Sequence, residues 1–438
     1  MPEGSGLLKR FKIVKRVEQL LPYIYFLPKI HKPHPPLKFR PIVSQFNTYN
    51  APLSKFVAKI LKPLVGSFSD SHLTNTSDFT NQLTTFYRNN PHLLSAPLLS
   101  LDVESLFTNV PLDDVTGFLR SKLTNDNIDL PDGLTIDMLI ELIKLCCEST
   151  VFSFNGCFYR QKSGVAMGSP LACILANLFM EYFETVLLPR LLLQPTFWRR
   201  YVDDIICIWS HGLENFQNFL DGLNGLAPSI TLSVEWEVLN EDTGIANLPF
   251  LDVLIHRSSL GVKFSVYRKP SHCQVYIHYF SHHAPSVKKG VLSGLFLRAL
   301  RVSSPCHLDT ELDTLRTSFK KLGYPDYYIK GALSYARTKF ISGPTVREFS
   351  RDRKIPIFVP YDPYFVMLKQ FLYKSAYELI FTYRNNTRNL VVRRRESGCG
   401  PLQPSGVYHV PCTCADCSMD YYGRTSKPYD VREVNPML

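Results

Sequence analysis

Three aspartates stand where predicted strands end, and they are the residues best suited to chemistry. Asp203 and Asp204 are adjacent in RYVDDIICIW, which predicts a strand, a tight turn and a second strand. Asp102 ends the apolar run PLLSLDV about one hundred residues earlier. Adjacent carboxylates repel, so such a pair alone fits an exposed turn equally well. Three carboxylates on two neighbouring strands can hold two Mg²⁺ ions roughly 4 Å apart, which clamp the attacking and leaving oxygens in phosphoryl transfer.

The elements that must position these aspartates predict an α+β fold, with an antiparallel sheet that carries helices on one face. From residue 285 onward the pattern changes to helices punctuated by Pro and Gly. The predicted elements before that point are a buried strand at 97–103, a core helix at 134–149, a hairpin at 151–160 turning at Asn-Gly, a long apolar helix after Pro170, a strand, turn and strand at 200–209, an amphipathic helix near 214–226, and strands at 230–238 and 248–256.

Charge is distributed unevenly along the 438 residues, whose net charge is +11. Residues 1–60 carry +9, residues 61–250 carry −12, residues 251–400 carry +15 and residues 401–438 carry −1. Basic flanks suit a polyanion and an acidic centre suits divalent cations, although an uneven solvated surface would give the same totals.

Composition predicts a folded chain of about three units, because 45% of residues are hydrophobic and only 20% are charged. The eleven cysteines lie mostly in apolar or mixed stretches with no signal peptide before them, which favours a reducing compartment. The apolar runs appear too short for a bilayer span, so the sequence predicts a soluble protein.

Six blocks in consistent order resemble the reverse transcriptases. LLSLDVESLFTNV is similar to the first carboxylate block, SGVAMGSPLACILANL to the helix-opening block and YVDD to the catalytic turn. LKFRPIV is similar to the fingers block, LPFLDVLI to the strand pair after the turn and VYRKPS to the primer-gripping hairpin. The resemblance implies a right-hand polymerase fold of fingers, palm and thumb, with an antiparallel palm sheet and a helical thumb.

The resemblance also implies roles for individual residues. Asp102 and Asp203 would be the main metal ligands, with Asp204 a nearby third carboxylate and the Val103 carbonyl available to a second ion. Lys38 and Arg40 would hold the triphosphate of the incoming nucleotide. A solvated basic strand is the alternative for those two residues.

Three further residues would meet the nucleotide or template. Phe107 would lie under the sugar and exclude a 2′-hydroxyl, unless it is an ordinary core phenylalanine. Gly168, with Ser169, would open a helix where a side chain would collide with the base pair, and Gln161 would face the template or nucleotide. Met167 stands where many relatives have Gln, so nucleotide contacts are not carried over there.

Within this family the chain most resembles Penelope-like retroelements, which are related to telomerase. LPKIHKP, SLDVESLFTNVPLDD, FLDVLIHR and YRKPSH are similar to their signatures. Gly406-Val407-Tyr408 followed by Tyr421-Tyr422-Gly423 resembles the start of a GIY-YIG endonuclease domain, which those elements carry after the polymerase.

The nuclease resemblance implies that Tyr408, Tyr421 and Arg432 surround a scissile phosphate. A working nuclease is not expected in this chain, because the metal-binding glutamate of that family has no counterpart after Arg432. Cys399, Cys412, Cys414 and Cys417 can supply four soft ligands to Zn²⁺, or they can be free thiols.

The resemblance therefore predicts an RNA-directed DNA polymerase that uses two Mg²⁺ ions (Mn²⁺ substituting), an RNA template, a DNA primer, dNTPs and target DNA, with no membrane partner and a nuclear location. The alternatives are a telomerase-type catalytic subunit, an inactive RNA-binding protein that keeps the fold, and a nuclease on a DNA-binding scaffold. The predicted domains are an N-terminal region with fingers at 1–96, a palm with inserted fingers elements at 97–284, a helical thumb at 285–383, a basic linker at 384–405 and a partial GIY-YIG domain at 406–438.

Overall fold

Strands and helices alternate along the chain in the computed structural model. The structure describes residues 21–29, 39–46, 48–131, 133–270, 272–343, 355–360, 368, 372, 377–382, 406–411 and 420–425. The chain divides into two units, the first comprising 1–154, 158–279 and 292–341, and the second comprising 155–157, 280–291 and 342–438.

The described strands fall into five sheets, three of them with four strands each. In chain order they are β1 (Tyr23–Pro28), β2 (Phe39–Ser44), β3 (Leu98–Val103), β4 (Val151–Phe154), β5 (Cys157–Arg160), β6 (Phe197–Tyr201), β7 (Asp204–Ile208), β8 (Leu232–Trp236), β9 (Val238–Asn240), β10 (Ile245–Phe250), β11 (Val253–Ser258), β12 (Gly261–Val266), β13 (Ile355–Pro360), β14 (Tyr377–Thr382), β15 (Gly406–Pro411) and β16 (Asp420–Thr425).

The helices lie between these strands and after them. They are α1 (Ala51–Leu61), α2 (Thr76–Asn89), α3 (Leu106–Asn109), α4 (Leu112–Asn125), α5 (Ile136–Glu148), α6 (Ala172–Tyr182), α7 (Phe216–Gly225), α8 (Pro285–Val302), α9 (Pro305–Lys321) and α10 (Asp326–Ser342). Helix α6 continues as a π-helical turn over Phe183–Leu187 and a 3₁₀ turn over Leu188–Arg190.

The central sheet has the strand order β6-β7-β3-β8, and its neighbouring strands all pair antiparallel. Because side chains alternate across a strand, Leu99 and Leu101 of β3 enter one hydrophobic cluster while Leu98 enters another. The first cluster includes side chains of α4, α5 and α6; the second includes Phe79 of α2 and Phe250 of β10, whose rings lie 4.8 Å apart. The sheet is therefore covered on both faces, and the expectation of helices on one face only was too simple.

A second sheet has the order β2-β1-β4-β5 and a third the order β12-β11-β10-β9. The predicted hairpin at 151–160 is present as β4 and β5, with Asn155 and Gly156 at positive φ of 48° and 83°. The residue pattern predicted a single strand at 248–256, whereas the resemblance implied a strand pair. The structure has a hairpin there. Leu251, at φ 56°, and Asp252 turn the chain between β10 and β11.

Among the described residues, the region from 285 that was predicted to be helical contains α8, α9 and α10, and α10 ends at Ser342. In the second unit, β13 and β14 pair in parallel, while β15 and β16 pair antiparallel. Two strands thus lie inside the stretch 285–383, for which helices alone were expected. The predicted linker at 384–405 lies outside the described residues.

Residues Ala172–Arg190 form the one described helical stretch that is long and apolar enough to cross a membrane by length and composition. The sequence had been expected to hold no such span. The stretch is 72% buried within the protein, as in a core helix, because its side chains pack in the first hydrophobic cluster.

Together these features confirm the predicted fold class, which combines antiparallel sheets with packed helices.

Candidate active site

The strand register brings Asp102 and the acidic turn together at one end of the central sheet. Asp102 of β3 lies directly opposite Asp204 of β7, so their side chains leave the sheet on the same face. The Val103 N–H donates to the Asp203 carbonyl at 3.1 Å, which ties the turn to the end of β3. All three aspartates are half-buried. The structure thus places together the three carboxylates that the sequence singled out.

Asp203 occupies an unfavourable position for a negative charge. Burial raises the pKa of its carboxyl group, and the nearby charge of Asp102 raises it further. The hydrogen bond of its own backbone N–H lowers this pKa, as do the positive charges of Arg40 and Lys29. A cation bound beside Asp203 would act in the same direction as these two basic side chains.

The side chains at this site meet only some of the requirements for binding a divalent cation. Asp102 and Asp203 supply hard carboxylate oxygens close enough to interact, which Mg²⁺ prefers. Across the described part of the chain, however, no three His, Cys, Asp or Glu side chains gather tightly enough to form a metal cluster. Two carboxylates can therefore hold a metal with the help of substrate oxygens, and the expected two-ion site stays a prediction.

Basic residues of the β1–β2 hairpin face this acidic end. Arg40 lies at an exposed position of β2, opposite Leu27 of β1, and Lys29 follows the end of β1. Both lie near enough for their positive charges to lower the pKa of the Asp203 carboxyl group. The sequence had suggested Arg40 but not Lys29, although Lys29 stands in the quoted motif LPKIHKP. Lys38 lies outside the described residues.

The structure shows the contacts of Phe107 and Gln161 within the protein. Phe107 lies in α3, is partly buried against the first hydrophobic cluster, and its carbonyl accepts from the Val165 N–H at 2.7 Å. The Gln161 side chain donates to the Ser163 carbonyl at 2.9 Å, within its own loop. Their proposed contacts with sugar and template stay predictions.

A close contact within the protein requires a glycine at position 168. Its φ is +120°, and an added Cβ would stand 2.3 Å from the Val43 backbone oxygen. The Val43 N–H also donates to the Met167 carbonyl at 2.8 Å. The close approach in the structure is to β2, and the proximity of Gly168 to a base pair stays a prediction.

Gly164 serves a similar purpose and was not singled out from the sequence. At φ +68°, its added Cβ would stand 2.2 Å from the Thr108 backbone oxygen. The two glycines let one loop lie against both β2 and α3. The signal for this is the run SGVAMGS itself, in which glycines recur four residues apart.

The remaining predicted site residues cannot be located as side chains. Tyr408 pairs with Gly423, and Val410 with Tyr421, in the β15–β16 hairpin, for which only the backbone is described. Arg432, Cys399, Cys412, Cys414 and Cys417 lie outside the described residues. The nuclease and zinc assignments therefore stay predictions.

The comparisons with known proteins point to the same part of the chain. Residues 30–237, which include β3 and the acidic turn, match the family model described as reverse transcriptase (RNA-dependent DNA polymerase). The chain therefore contains a reverse transcriptase-like domain. No curated protein matches the chain significantly.

Two of the solved structures that match the chain are a telomerase and a viral RNA-dependent RNA polymerase. A telomerase from Candida albicans, in complex with a fragment of telomeric RNA, has a TM-score of 0.51 at 12% identity, covering 75% of this chain and 61% of that one. The RNA-dependent RNA polymerase of a human picobirnavirus has a TM-score of 0.46 at 13% identity, covering 72% and 60%. This chain thus spans less than two thirds of the telomerase. At such low identity, the telomerase match supports the fold alone.

A second family model, described as an animal helix-turn-helix domain, matches residues 275–333. That range contains α8, α9 and the beginning of α10. Short turns join these helices at Ser303–Ser304 and at 322–325. The match lies in the region that the sequence predicted to be a helical thumb.

Proposed function

We propose that this chain is an RNA-directed DNA polymerase that extends a DNA primer on an RNA template and belongs to a Penelope-like retroelement. The observation that carries the proposal is the meeting of Asp102 with the Asp203–Asp204 turn at the end of the central sheet, inside the reverse transcriptase-like domain. The retroelement assignment rests on the sequence signatures quoted above.

The residues of the site have complementary roles in nucleotide addition. Asp102 and Asp203 would hold Mg²⁺, with the Val103 carbonyl as a further oxygen donor. When bound, Mg²⁺ supplies positive charge at the attacking and leaving oxygens of phosphoryl transfer. Arg40 and Lys29 supply positive charge near Asp203 and would attract the triphosphate of a dNTP.

Phe107 provides selection against ribonucleotides in this proposal. It stands five residues after Asp102, in a short helix whose backbone is held by the loop at 164–165. A rigidly held ring can exclude a 2′-hydroxyl by occupying its space. The partners implied are an RNA template, a DNA primer, dNTPs and a target DNA, in the nucleus.

A primer-extension assay tests the proposal. The full chain is supplied with a DNA primer annealed to an RNA template, dNTPs and Mg²⁺, and with EDTA in a parallel reaction. We expect extension on RNA that stops in EDTA. Binding of the template–primer without extension, in either Mg²⁺ or Mn²⁺, would instead indicate the inactive RNA-binding protein.

A telomerase-type catalytic subunit is the second candidate, because the fold shared with the Candida albicans telomerase is compatible with either enzyme. The same assay separates the two when unrelated RNA templates are compared. A retroelement polymerase should extend primers on any of them. Extension that requires one co-purified RNA would favour the telomerase-type enzyme.

The C-terminal region is proposed to be related to GIY-YIG nucleases. The antiparallel pairing of β15 with β16 supports this, because it sets the Gly406–Tyr408 and Tyr421–Gly423 triplets on neighbouring strands. A supercoiled-DNA nicking assay with Mg²⁺ or Mn²⁺, repeated with Tyr408→Phe, tests for cleavage. Metal analysis of the purified chain tests the cysteine cluster, with about one zinc per chain expected if the four cysteines bind it.

A further inference from the structure

A buried ion pair lies directly behind the acidic turn. Arg200, the residue before Tyr201, is 0% exposed, and its Nε donates to Glu184 Oε1 at 2.7 Å. Its Nη2 donates to the other oxygen of the same carboxylate at 3.3 Å. Removing two charges from water is costly, so a buried pair persists where additional hydrogen bonds complete it.

Those additional hydrogen bonds come from several elements. The Ser69 hydroxyl donates to Glu184 Oε2 at 2.8 Å, and the Trp198 indole N–H donates to Glu184 Oε1 at 3.2 Å. Arg200 Nη1 donates to the Asn177 side-chain oxygen at 2.8 Å. Glu184 lies in the π-helical turn after α6, which is an irregularity of the kind found at functional sites.

One hydrogen bond of this network reaches the acidic turn itself. Arg200 Nη1 also donates to the Val202 carbonyl at 3.1 Å. Val202 has a φ of +58°, a left-handed conformation that a β-branched residue adopts only when its surroundings enforce it. The next residue is Asp203. The guanidinium group therefore holds the strained residue Val202, which immediately precedes the candidate metal ligand Asp203.

The backbone of Arg200 is fixed as well. Its N–H donates to the Ser71 carbonyl at 2.7 Å, and its carbonyl accepts from the Leu73 N–H at 2.8 Å. Glu181, one turn before Glu184, accepts from the N–H groups of Gly66 and Phe68 at 2.8 and 3.1 Å. The segment 66–73, helix α6 and strand β6 are thus joined behind the turn.

We propose that Arg200 is a positioning residue that holds the turn at 201–204 in its left-handed conformation, so that Asp203 is presented beside Asp102. This inference rests on the proposed polymerase function for its consequence in catalysis. Arg200 is buried away from solvent and acts through Val202. Its role is to keep the two carboxylates at a separation that a metal can bridge.

The test compares two kinds of variant at Arg200 with one at its neighbour. Arg200→Met combined with Glu184→Gln removes the anchor without leaving Glu184 as an unpaired buried charge, and the side chain at 184 keeps an acceptor for Trp198. Arg200→Lys keeps the charge beside Glu184, but a single ammonium group does not reproduce the planar fork of donors. Arg199→Met is the control, because Arg199 bonds Gln82 and the Trp198 carbonyl.

Three readouts are measured on the full chain: hydrogen exchange of the segment 200–208, Mn²⁺ affinity by electron paramagnetic resonance, and primer extension. In the double variant we expect faster exchange in this segment, Mn²⁺ binding weakened about tenfold, and kcat reduced about 100-fold with KM for template–primer unchanged. Arg200→Lys should give intermediate values, and Arg199→Met should resemble the parent.

A folded double variant with parental exchange, Mn²⁺ affinity and kcat would overturn the proposal. If the double variant does not fold, Arg200→Lys decides, and parental values in all three readouts overturn the proposal likewise. If the parent itself extends no primer on any template, the polymerase proposal fails. The exchange and Mn²⁺ measurements would then still decide the role of Arg200.

Discussion

At the scale of single residues, the candidate site contains one carboxylate, that of Asp203, held where its negative charge is disfavoured. The pKa of Asp203 is raised by burial and by Asp102. A carboxyl group with a raised pKa in the folded state favours folding below its ordinary pKa, and that contribution is lost as the pH rises through the raised value. Without metal, the ionised form of Asp203 therefore opposes folding.

Asp203→Asn should accordingly raise the melting temperature at neutral pH in EDTA, because it removes a buried charge that Asp102 repels. Differential scanning calorimetry measures this melting temperature. Asp221→Asn is the control, because Asp221 is an exposed residue of α7. Adding Mg²⁺ should stabilise the parent and should have little effect on the Asn variant. A melting temperature in EDTA that falls on substitution would show that the charge is favourably placed.

Phe107→Val should admit ribonucleotides, because the smaller side chain leaves space for a 2′-hydroxyl. The measurement is the ratio of dNTP to rNTP incorporation, which we expect to fall at least tenfold, the effect of a little over 1 kcal/mol. Phe118→Leu, at a buried position of α4, controls for a general loosening of the core. An unchanged ratio would make Phe107 a core residue only.

At the scale of elements, the site depends on a loop that fits between two backbones. Gly168 approaches the backbone of β2, and Gly164 approaches that of α3. Both approaches join segments more than fifty residues apart in sequence. The loop therefore connects the basic β1–β2 hairpin to the helix that follows Asp102.

Gly168→Ala should destabilise the chain by roughly 1–3 kcal/mol, because its Cβ would overlap the Val43 backbone oxygen and its φ disfavours any side chain. Gly117→Ala is the matched control in α4, where nothing lies within 4 Å. That substitution should stabilise by about 0.5–1 kcal/mol. Urea denaturation measures both, and a Gly168→Ala variant as stable as the parent would contradict the structure at this loop.

Local patterns predicted the elements that carry the aspartates. The apolar run before Asp102, the Asn-Gly hairpin and the strand pair around Asp203 are all present where the sequence placed them. What the sequence did not predict depends on contacts between distant segments. The burial of Arg200 and the influence of Lys29 on Asp203 are of this kind, since neither has a local periodicity that reports it.

The turn within 248–256 is a second feature that the local residue pattern did not predict. FLDV contains apolar residues on both sides of the aspartate, so the pattern suggested one continuous strand. The structure instead gives Leu251 a positive φ, and Asp252 accepts a hydrogen bond from the Thr76 hydroxyl at 2.6 Å. Tertiary contact thus stabilises a turn that the local residue types do not favour.

At the scale of the whole molecule, the distribution of charge predicts how the chain meets nucleic acid. The acidic block at 61–250 contains the aspartates, and the block at 251–400 carries +15. Phosphate neutralisation by basic residues releases counterions, so binding should weaken steeply as salt rises and depend little on base sequence.

Lys288→Gln combined with Lys289→Gln should flatten the slope of log K against log salt by about 1 to 2 if both lysines contact phosphates. Fluorescence anisotropy with a labelled RNA–DNA duplex measures the slope. Arg120→Gln combined with Lys144→Gln removes the same charge from a region where these residues face Asp137 and Asp113, and should leave the slope unchanged. Equal slopes in both pairs would place Lys288 and Lys289 away from the duplex.

The central claim is that Asp102 and Asp203 together perform nucleotide addition. The most direct measurement is single-turnover incorporation of one dNTP on an RNA template by the parent, Asp102→Asn, Asp203→Asn, the double variant and Asp221→Asn. We predict that each single site variant loses at least ~10³-fold in rate, that the double variant loses little more, and that Asp221→Asn matches the parent, while all bind template–primer alike. An Asp203→Asn variant whose rate stays within about tenfold of the parent's would contradict the account, because a metal ligand of phosphoryl transfer cannot be removed at so small a loss.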